Sequence, residues 1–209
     1  GKSSRLGPTD PISRDKSLPL FNSPLVVFAK EVLQNPRAVG AACPSSRLLS
    51  RAVAKLVPVN KPGLVIDLGA GTGIMTKALL QHGFAPERLV AIERSAHLAA
   101  YLRQHFPQVR VIEGDALELC NLLGEDGQHI NTLIGGLPFR TLPPHVVHGV
   151  IKQVEKVLPK QAFYMQYTYD LSGRDPHLPH HFKRVSSKIV WSNLPPARIS
   201  VYRVEHLAN

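Results

Sequence analysis

The 209-residue sequence predicts an α/β fold: a mostly parallel β-sheet with helices on both faces and an antiparallel hairpin at its end. Three observations predict this fold. Short apolar strands alternate with helical patterns between residues 63 and 169. The first strand runs into a glycine-rich turn. Two further strand-like segments are joined only by Leu194-Pro195-Pro196, and so short a link makes a hairpin, whereas parallel strands need a longer crossover.

The region before residue 60 is predicted to hold a tail and two helices. Residues 1–22 are rich in Ser, Pro, Gly and charge, which is typical of a flexible tail. Helices follow over about 24–34 and 44–57, and we expect 23–209 to form one domain. The second helix has an apolar stripe, and basic residues recur every four positions on another face: Arg47, Arg51 and Lys55.

The following part of the chain is predicted to form the sheet. Hydrophobic patterns predict strands over 63–69, 88–93, 109–116 with its turn, 131–136 and 161–169. Helical patterns lie between them over 72–83, 95–106 and 143–158. Gly83 is placed to end the first of these helices and Ser95 to cap the second. The terminal hairpin is predicted over 186–193 and 197–205.

Composition and charge limit the classes of function. Two cysteines are too few for a disulfide framework, and no apolar run approaches the ~20 residues of a membrane-spanning helix, so we expect a cytoplasmic protein. The net charge is +10, and residues 1–60 hold nine Lys/Arg against three Asp/Glu. This balance favours an anionic partner, either nucleic acid or an acidic membrane surface. The alternative is a positive charge that only aids solubility.

The glycine-rich turn in "VIDLGAGTG" has the spacing Gly-x-Gly-x-Gly at Gly69, Gly71 and Gly73, after Asp67 at the strand end. Dinucleotide-binding folds instead use Gly-x-Gly-x-x-Gly, and no Gly-Lys-Ser/Thr follows to make a phosphate-binding P-loop. The turn resembles the first motif of class I S-adenosylmethionine-dependent methyltransferases. The fold predicted from this resemblance is therefore a Rossmann-like methyltransferase sheet.

Acidic residues end the next two strands at Glu93 and Asp115. A carboxylate at the first position can bind both ribose hydroxyls of a nucleotide, although a solvated acid is the simpler reading of that residue alone. The resemblance implies that Asp67 and Glu93 bind the methionine and ribose parts of the cofactor, and that Asp115 faces the adenine amino group. The predicted cofactor-binding set is Asp67, Gly69, Ala70, Gly71, Gly73, Glu93, Arg94, Asp115 and Ala116.

The acceptor pocket is predicted beyond the carboxyl ends of the strands, where doubly wound sheets bind their ligands. The loop 136–139 follows the fourth strand, and Tyr167 and Tyr169 end the fifth, on the same face as Phe163 and Met165. Packing under a helix is the alternative for Tyr169. The predicted catalytic set is Gly136, Leu137, Phe139, Tyr167 and Tyr169.

Five segments indicate a more specific family within this superfamily: "NPRAVGAACPSS", "DLGAGTG", "GGLPF", "QYTY" and "NLPPARISVYR". Over about residues 20–204 they resemble the small soluble-type bacterial phospholipid N-methyltransferases, which convert phosphatidylethanolamine towards phosphatidylcholine. These enzymes are similar to ribosomal RNA adenine dimethyltransferases, which carry Asn where this sequence has Gly136. A deprotonated aliphatic amine needs orientation and desolvation more than a polar side chain to activate it, so glycine is compatible with a lipid amine.

A lipid acceptor would need contacts both to its head group and to its phosphate. Phe139, Tyr167 and Tyr169 are predicted to face the head group through cation–π attraction. The phosphate is predicted to meet Arg140, Arg198 and Tyr202, for which structural pairing is the alternative. Tyr169, Asp170 and water stay open as the proton acceptor. No metal is expected at His177, His180 or His181, because no cysteine or acid pair completes a site.

An enzyme with a lipid substrate must lie on the bilayer. We expect the 24–34 helix and the loop 172–184 to contact an anionic membrane, residues 23–60 to cover the cofactor, and the protein to sit peripherally on the inner face of the membrane. Methylation of ribosomal RNA, or of another amine-bearing lipid such as ornithine lipid, remains an alternative. A third possibility is a methyltransferase fold without catalysis, although the intact glycine turn argues against it.

Overall fold

The computed structural model describes residues 44–206, with side chains from residue 47 onward. The predicted tail over 1–22 and the predicted helix over 24–34 lie outside this range. The described strands are β1 (Leu64–Leu68), β2 (Leu89–Glu93), β3 (Arg110–Glu113), β4 (Ile130–Gly135), β5 (Phe163–Thr168), β6 (Phe182–Val190) and β7 (Ala197–Val204). The α-helices are α1 (Pro44–Leu56), α2 (Ile74–His82), α3 (Ala96–His105), α4 (Leu119–Leu123) and α5 (Pro144–Val157).

All seven strands form one sheet in the order β3-β2-β1-β4-β5-β7-β6. β1 to β5 pair in parallel, and β7 lies antiparallel between β5 and β6. This confirms the predicted fold, including the terminal hairpin. Because β1, β2, β4 and β5 run the same way, their carboxyl ends meet at one edge, which we call the carboxyl edge.

Helices cover both faces of the sheet, as the alternating strands and helices predicted. On one face α1 and α2 pack on a cluster that includes Val53, Leu79 and Val65. On the other face α4 and α5 pack on a cluster that includes Ile66 and Val150. Neighbouring residues of β1 point into different clusters, which is the period of two expected of a strand. Arg47, Arg51 and Lys55 of α1 are exposed, as predicted.

The predicted helix boundaries next to β1 and β2 are confirmed by their caps. Gly83 ends α2 with φ 111°, a left-handed conformation that favours glycine. The Ser95 side chain accepts a hydrogen bond from the Leu98 backbone at 3.3 Å and so caps α3.

Two segments differ from the prediction. β6 begins at Phe182, so Lys183 and Arg184, predicted to lie in a loop, belong to a strand. This strand is at the edge of the sheet and its residues 183–188 are exposed, so the apolar alternation that marks a strand is weak. No element was predicted between the turn that ends at residue 116 and the strand at 131, but residues 116–129 form α4 between two 3-10 turns. Glycines 124 and 127 interrupt any helical period there.

Candidate active site

The glycine turn after β1 is tied to β2 and open towards the carboxyl edge. The backbone N–H groups of Gly69 and Ala70 both donate to the Ile92 carbonyl, at 2.9 and 3.0 Å. A Cβ at Gly73 would lie 2.4 Å from the Phe106 ring, whereas a Cβ at Gly71 would meet no atom within 4 Å. Helix packing therefore requires the third glycine, and the second leaves free space where a ligand can approach the backbone.

Glu93, at the end of β2, is held by two backbone donors. Its Oε1 accepts from Gly71 at 2.9 Å, and its Oε2 accepts from Ser95 at 2.7 Å. The residue is 9% exposed, so the alternative of a solvated strand-end acid does not describe it. Each oxygen keeps a further lone pair, and a rigid carboxylate beside an open glycine turn fits a pair of ribose hydroxyls.

Asp67, at the end of β1, is an acid buried almost completely. It is 4% exposed, and its Oδ2 accepts a hydrogen bond from the Thr76 hydroxyl at 3.1 Å. Burial raises the pKa of the Asp67 carboxyl to about 7, the Thr76 hydrogen bond opposes the rise, and the nearby Glu93 charge adds to it. A cationic group brought near this carboxyl would favour its ionised form.

Asp115, after β3, caps the 3-10 turn that begins at Ala116. Its Oδ1 accepts from the Leu117 backbone at 2.9 Å, and its Oδ2 lies 3.9 Å from Nε of the exposed Arg94. The side chain is partly exposed. β1, β2 and β3 are neighbours in the sheet, so the structure brings Asp67, Glu93 and Asp115 to the same edge in a row.

The loop after β4 lies directly against the glycine turn. Gly136 donates its backbone N–H to the Leu68 carbonyl at 2.9 Å. A Cβ at Gly136 would lie 3.2 Å from the carbonyl oxygens of both Leu68 and Gly69, and 3.3 Å from the Tyr167 hydroxyl. A Cβ at Gly69 would lie 3.1 Å from Leu137. The Tyr167 hydroxyl thus stands beside the position where a side chain at 136 would begin.

The predicted aromatic residues are divided between the two faces of the sheet. Tyr167 and Tyr169 are partly buried and pack on the cluster of the first face, as predicted from the period of two. Burial raises the pKa of the Tyr167 hydroxyl, so it keeps its proton at neutral pH. Phe139 packs on the cluster of the other face, and its ring centroid lies 6.3 Å from that of His177.

The two arginines predicted to bind phosphate have structural partners. Arg140 forms an ion pair with Asp170. Arg198 donates from Nη2 to the Leu171 carbonyl at 2.8 Å and from Nη1 to the Ser187 hydroxyl at 2.7 Å. The contacts to Asp170 and Leu171 fix the segment that follows β5, and the contact to Ser187 joins β7 to β6. Such structural pairing is the alternative that the sequence analysis gave for these arginines.

Tyr202 does not lie with the other predicted phosphate-binding residues, so this prediction is wrong. It is opposite Tyr164 in the register of β5 and β7, whereas Thr168 at the carboxyl edge is opposite Arg198. Tyr202 is 3% exposed, and within the described residues its hydroxyl has no hydrogen-bond partner. Alternation along β7 turns this side chain into the core, away from the site.

The fold and these contacts agree with comparisons to known proteins. Residues 65–161 match the family model described as a methyltransferase domain. The chain contains a class I S-adenosylmethionine-dependent methyltransferase domain. Magnesium protoporphyrin IX methyltransferase from Synechocystis PCC 6803, with bound S-adenosylmethionine, has a TM-score of 0.64 at 15% identity, covering 88% of this chain and 93% of that one. 1,6-Didemethyltoxoflavin-N1-methyltransferase from Burkholderia thailandensis, with bound 1,6-didemethyltoxoflavin and S-adenosylhomocysteine, has a TM-score of 0.62 at 17% identity, covering 87% of this chain and 88% of that one.

Relatives by sequence include a lipid enzyme and an RNA enzyme. An ornithine lipid N-methyltransferase from Singulisphaera acidiphila is 27% identical over 175 residues, which cover 82% of this chain and 91% of that protein. Ribosomal RNA small subunit methyltransferase A from Chlorobium chlorochromatii is 27% identical over 105 residues, which cover 50% of this chain and 38% of that protein. The cofactor of the methyltransferase described here is S-adenosylmethionine, as predicted.

Other features of the described part of the methyltransferase lie away from this edge. A cleft of about 490 Å³, lined by Val59, Pro62, Arg88 and His129 among others, is at the amino end of β1, opposite the cofactor-binding residues. Across residues 44–206 we find no group of His, Cys, Asp or Glu arranged to hold a metal ion. Within the same range no helix has the length and apolarity to cross a membrane.

Sequence reasoning missed residues that support the site through tertiary contacts. Thr76 is nine residues from its partner Asp67, with no motif that links them. Gln166 accepts a hydrogen bond from the Tyr164 hydroxyl at 3.0 Å and donates to Asp175 at 2.9 Å, and Asp175 lies 3.2 Å from Arg184. The "QYTY" segment in fact contained Gln166, but only its tyrosines were singled out.

Proposed function

We propose that this methyltransferase transfers methyl groups to the amine of a membrane lipid. Phosphatidylethanolamine and its partly methylated forms are the proposed acceptors, and ornithine lipid is the nearest alternative. The similarity to an ornithine lipid N-methyltransferase over most of both chains supports a lipid amine in general. The observation that carries the proposal is the crowded glycine at position 136.

The surroundings of Gly136 favour an aliphatic amine. Any side chain there would begin 3.2 Å from two carbonyl oxygens and 3.3 Å from the Tyr167 hydroxyl. A base amino group shares its lone pair with its ring and needs a polar group to hold it for attack, whereas a free aliphatic amine needs mainly orientation and loss of water. We therefore assign the orienting role to the Tyr167 hydroxyl and nearby backbone carbonyls.

The cofactor-binding residues fit S-adenosylmethionine, which supplies an electrophilic methyl group on a sulfonium sulfur when bound. Glu93 would hold the ribose hydroxyls, and Asp115 would lie beside the adenine amino group. Asp67 would balance positive charge on the methionine part. The open space at Gly71 lets the backbone approach the ligand closely.

The lipid amine must be neutral to attack. Moving an ammonium group into a partly apolar pocket lined by tyrosines disfavours its charged form. Asp170 is a poor acceptor for the released proton, because hydrogen bonds from Ser172, and then the Arg140 charge, hold the pKa of its carboxyl below the usual range. Tyr167 keeps its own proton, so water is the proposed acceptor, reached directly or through the Tyr169 hydroxyl.

We place this activity at the inner face of the cytoplasmic membrane. The net charge of +10 supports attraction to anionic lipids. Ribosomal RNA methylation is a second candidate, because several relatives act on ribosomal RNA and the same charge suits RNA. The match to those relatives, however, spans less than half of their length.

The variant Gly136→Asn tests the proposed role of glycine. We expect lipid methylation to fall, because the amide occupies the space between the glycine turn and Tyr167. Gly136→Ala is the matched control: its Cβ has the same close contacts, so any further loss in the Asn variant belongs to the amide. Lipid methylation that rises in the Asn variant would contradict the proposal.

A further inference from the structure

The tip of the β6–β7 hairpin exposes large apolar side chains. Trp191 is 66% exposed and Leu194 is 74% exposed, more than any other large hydrophobic residue among the described residues. Both lie in the connection between Val190 and Ala197, which are themselves buried. The exposed side chains therefore project from a hairpin whose base is anchored in the core.

This tip lies at the same edge of the sheet as the cofactor-binding and acceptor residues. Ala197 pairs with Val190, and Arg198 pairs with Thr168 at the carboxyl end of β5. Since β7 runs antiparallel to β5, the start of β7 is at the carboxyl edge. Val190 and Ala197 also belong to the cluster against which Tyr167 and Tyr169 pack. A surface that binds this tip would therefore also lie against the acceptor site.

The hairpin is also strongly basic. Residues 182–204 contain five Lys/Arg and no Asp/Glu. Asp175, from the preceding segment, pairs with one of them, Arg184, at 3.2 Å. Lys188, three residues before Trp191, is exposed. Apolar side chains at a tip, with cations behind them on the strand, match the boundary between anionic head groups and acyl chains.

We propose that the hairpin tip docks on an anionic bilayer by inserting Trp191 and Leu194 at the head-group boundary. The indole ring prefers this boundary because it combines an apolar body with one N–H donor. The contact holds the carboxyl edge towards the membrane, so that a lipid amine reaches Tyr167 with little exposure to water. This inference rests on the proposed lipid acceptor and adds the surface that presents it.

Trp191 is the single tryptophan of the sequence, so its fluorescence reports on the tip directly. Phosphatidylglycerol vesicles added to the full chain should shift its emission to the blue, and lipids brominated near the head group should quench it. Neutral phosphatidylcholine vesicles should act more weakly. An emission spectrum unchanged by bound phosphatidylglycerol vesicles would overturn the proposal. So would a blue shift that appears with rising protein concentration alone, because it would assign the tip to contact between two copies.

Leu194→Ser tests the second side chain while keeping the fluorescent reporter. We expect vesicle affinity to fall about tenfold, as for the loss of one buried leucine. The matched control is Val185→Ser, since Val185 is exposed by 48% on the same hairpin but lies away from the tip; it should leave affinity unchanged. Equal loss in both variants would contradict the proposal.

Lipid dispersed in detergent separates this inference from the proposed function. Leu194→Ser should methylate phosphatidylethanolamine in micelles at the rate of the unmodified chain, because the tip is not part of the acceptor site. If the protein methylates lipid in micelles but the Trp191 fluorescence does not change on vesicles, the proposed docking by the tip is wrong and the proposed lipid methylation is retained. If Trp191 inserts into vesicles but no lipid amine is methylated, the proposed function is wrong and the proposed docking by the tip is retained.

Discussion

Cofactor affinity is predicted to rise with pH, because the Asp67 carboxyl must be deprotonated to attract the positive charges of the cofactor. The carboxyl is 4% exposed and burial raises its pKa to about 7. We propose that it lies beside the methionine part of S-adenosylmethionine, which carries an ammonium and a sulfonium group. Only the ionised carboxyl attracts these charges, so binding is linked to release of the Asp67 proton.

The size of the effect follows from the ionised fraction. With a pKa of about 7, roughly one tenth of Asp67 is ionised at pH 6 and nine tenths at pH 8, so affinity should rise about tenfold across this range. The effect on stability has the opposite sign. The unfolded carboxyl ionises near pH 4, so between about pH 4 and pH 7 the folded protein keeps a proton that the unfolded chain has lost. Asp67 therefore lowers the free energy of unfolding as pH rises through that window.

Titration calorimetry at pH 6, 7 and 8 measures this linkage, and buffers of different ionisation enthalpy count the released protons. Asp67→Asn should flatten the pH dependence, and any slope common to both proteins belongs to the cofactor's own amino group. The control is Asp126→Asn, because Asp126 lines the cleft at the amino end of β1, away from the cofactor-binding residues; this variant should retain the full slope. An unmodified protein that shows the same slope as Asp67→Asn would refute the reasoning.

The remaining predictions concern the glycine turn and the buried tyrosine of β7. Gly73→Ala should lower the free energy of unfolding by about 2–5 kcal/mol, because left-handed strain adds to the contact with Phe106. Gly71→Ala should lose only about 1–2 kcal/mol of strain but should weaken cofactor binding; urea unfolding and calorimetry separate the two, and equal stability losses would contradict this. Tyr202→Phe should raise stability by about 1 kcal/mol and leave lipid methylation unchanged, since it removes a buried hydroxyl that has no partner among residues 44–206. Slower methylation by this variant would indicate that Tyr202 belongs to the site.

Much of the fold was predictable because its signals are local. The apolar strands show their own periodicity, and Gly83 and Ser95 mark helix ends through backbone conformation and capping. The three glycines follow β1, and the acids lie at the ends of β1 and β2 and just after β3. The order of parallel strands, which the alternation of elements predicted, places all of them at one edge. Residues at strand ends could therefore be assigned to one edge before their distances were known.

The rest of the site depends on contacts between distant parts of the chain. The Tyr167 hydroxyl lies beside the backbone of Gly136 because β5 pairs with β4, and no spacing in the sequence reports that approach. The partners of Arg140 and Arg198 likewise come from the segment after β5. Sequence patterns identify which side chains have the right chemistry, whereas packing decides which of them already have a partner.

One measurement tests the proposed acceptor most directly. The methyltransferase is incubated with methyl-labelled S-adenosylmethionine, vesicles that contain phosphatidylethanolamine and ornithine lipid, and ribosomal RNA at matched salt, and the labelled product is identified. The proposal predicts label on a lipid amine, with phosphatidylethanolamine as the preferred acceptor, and a label that decreases in Gly136→Asn. Label found only in RNA would contradict it.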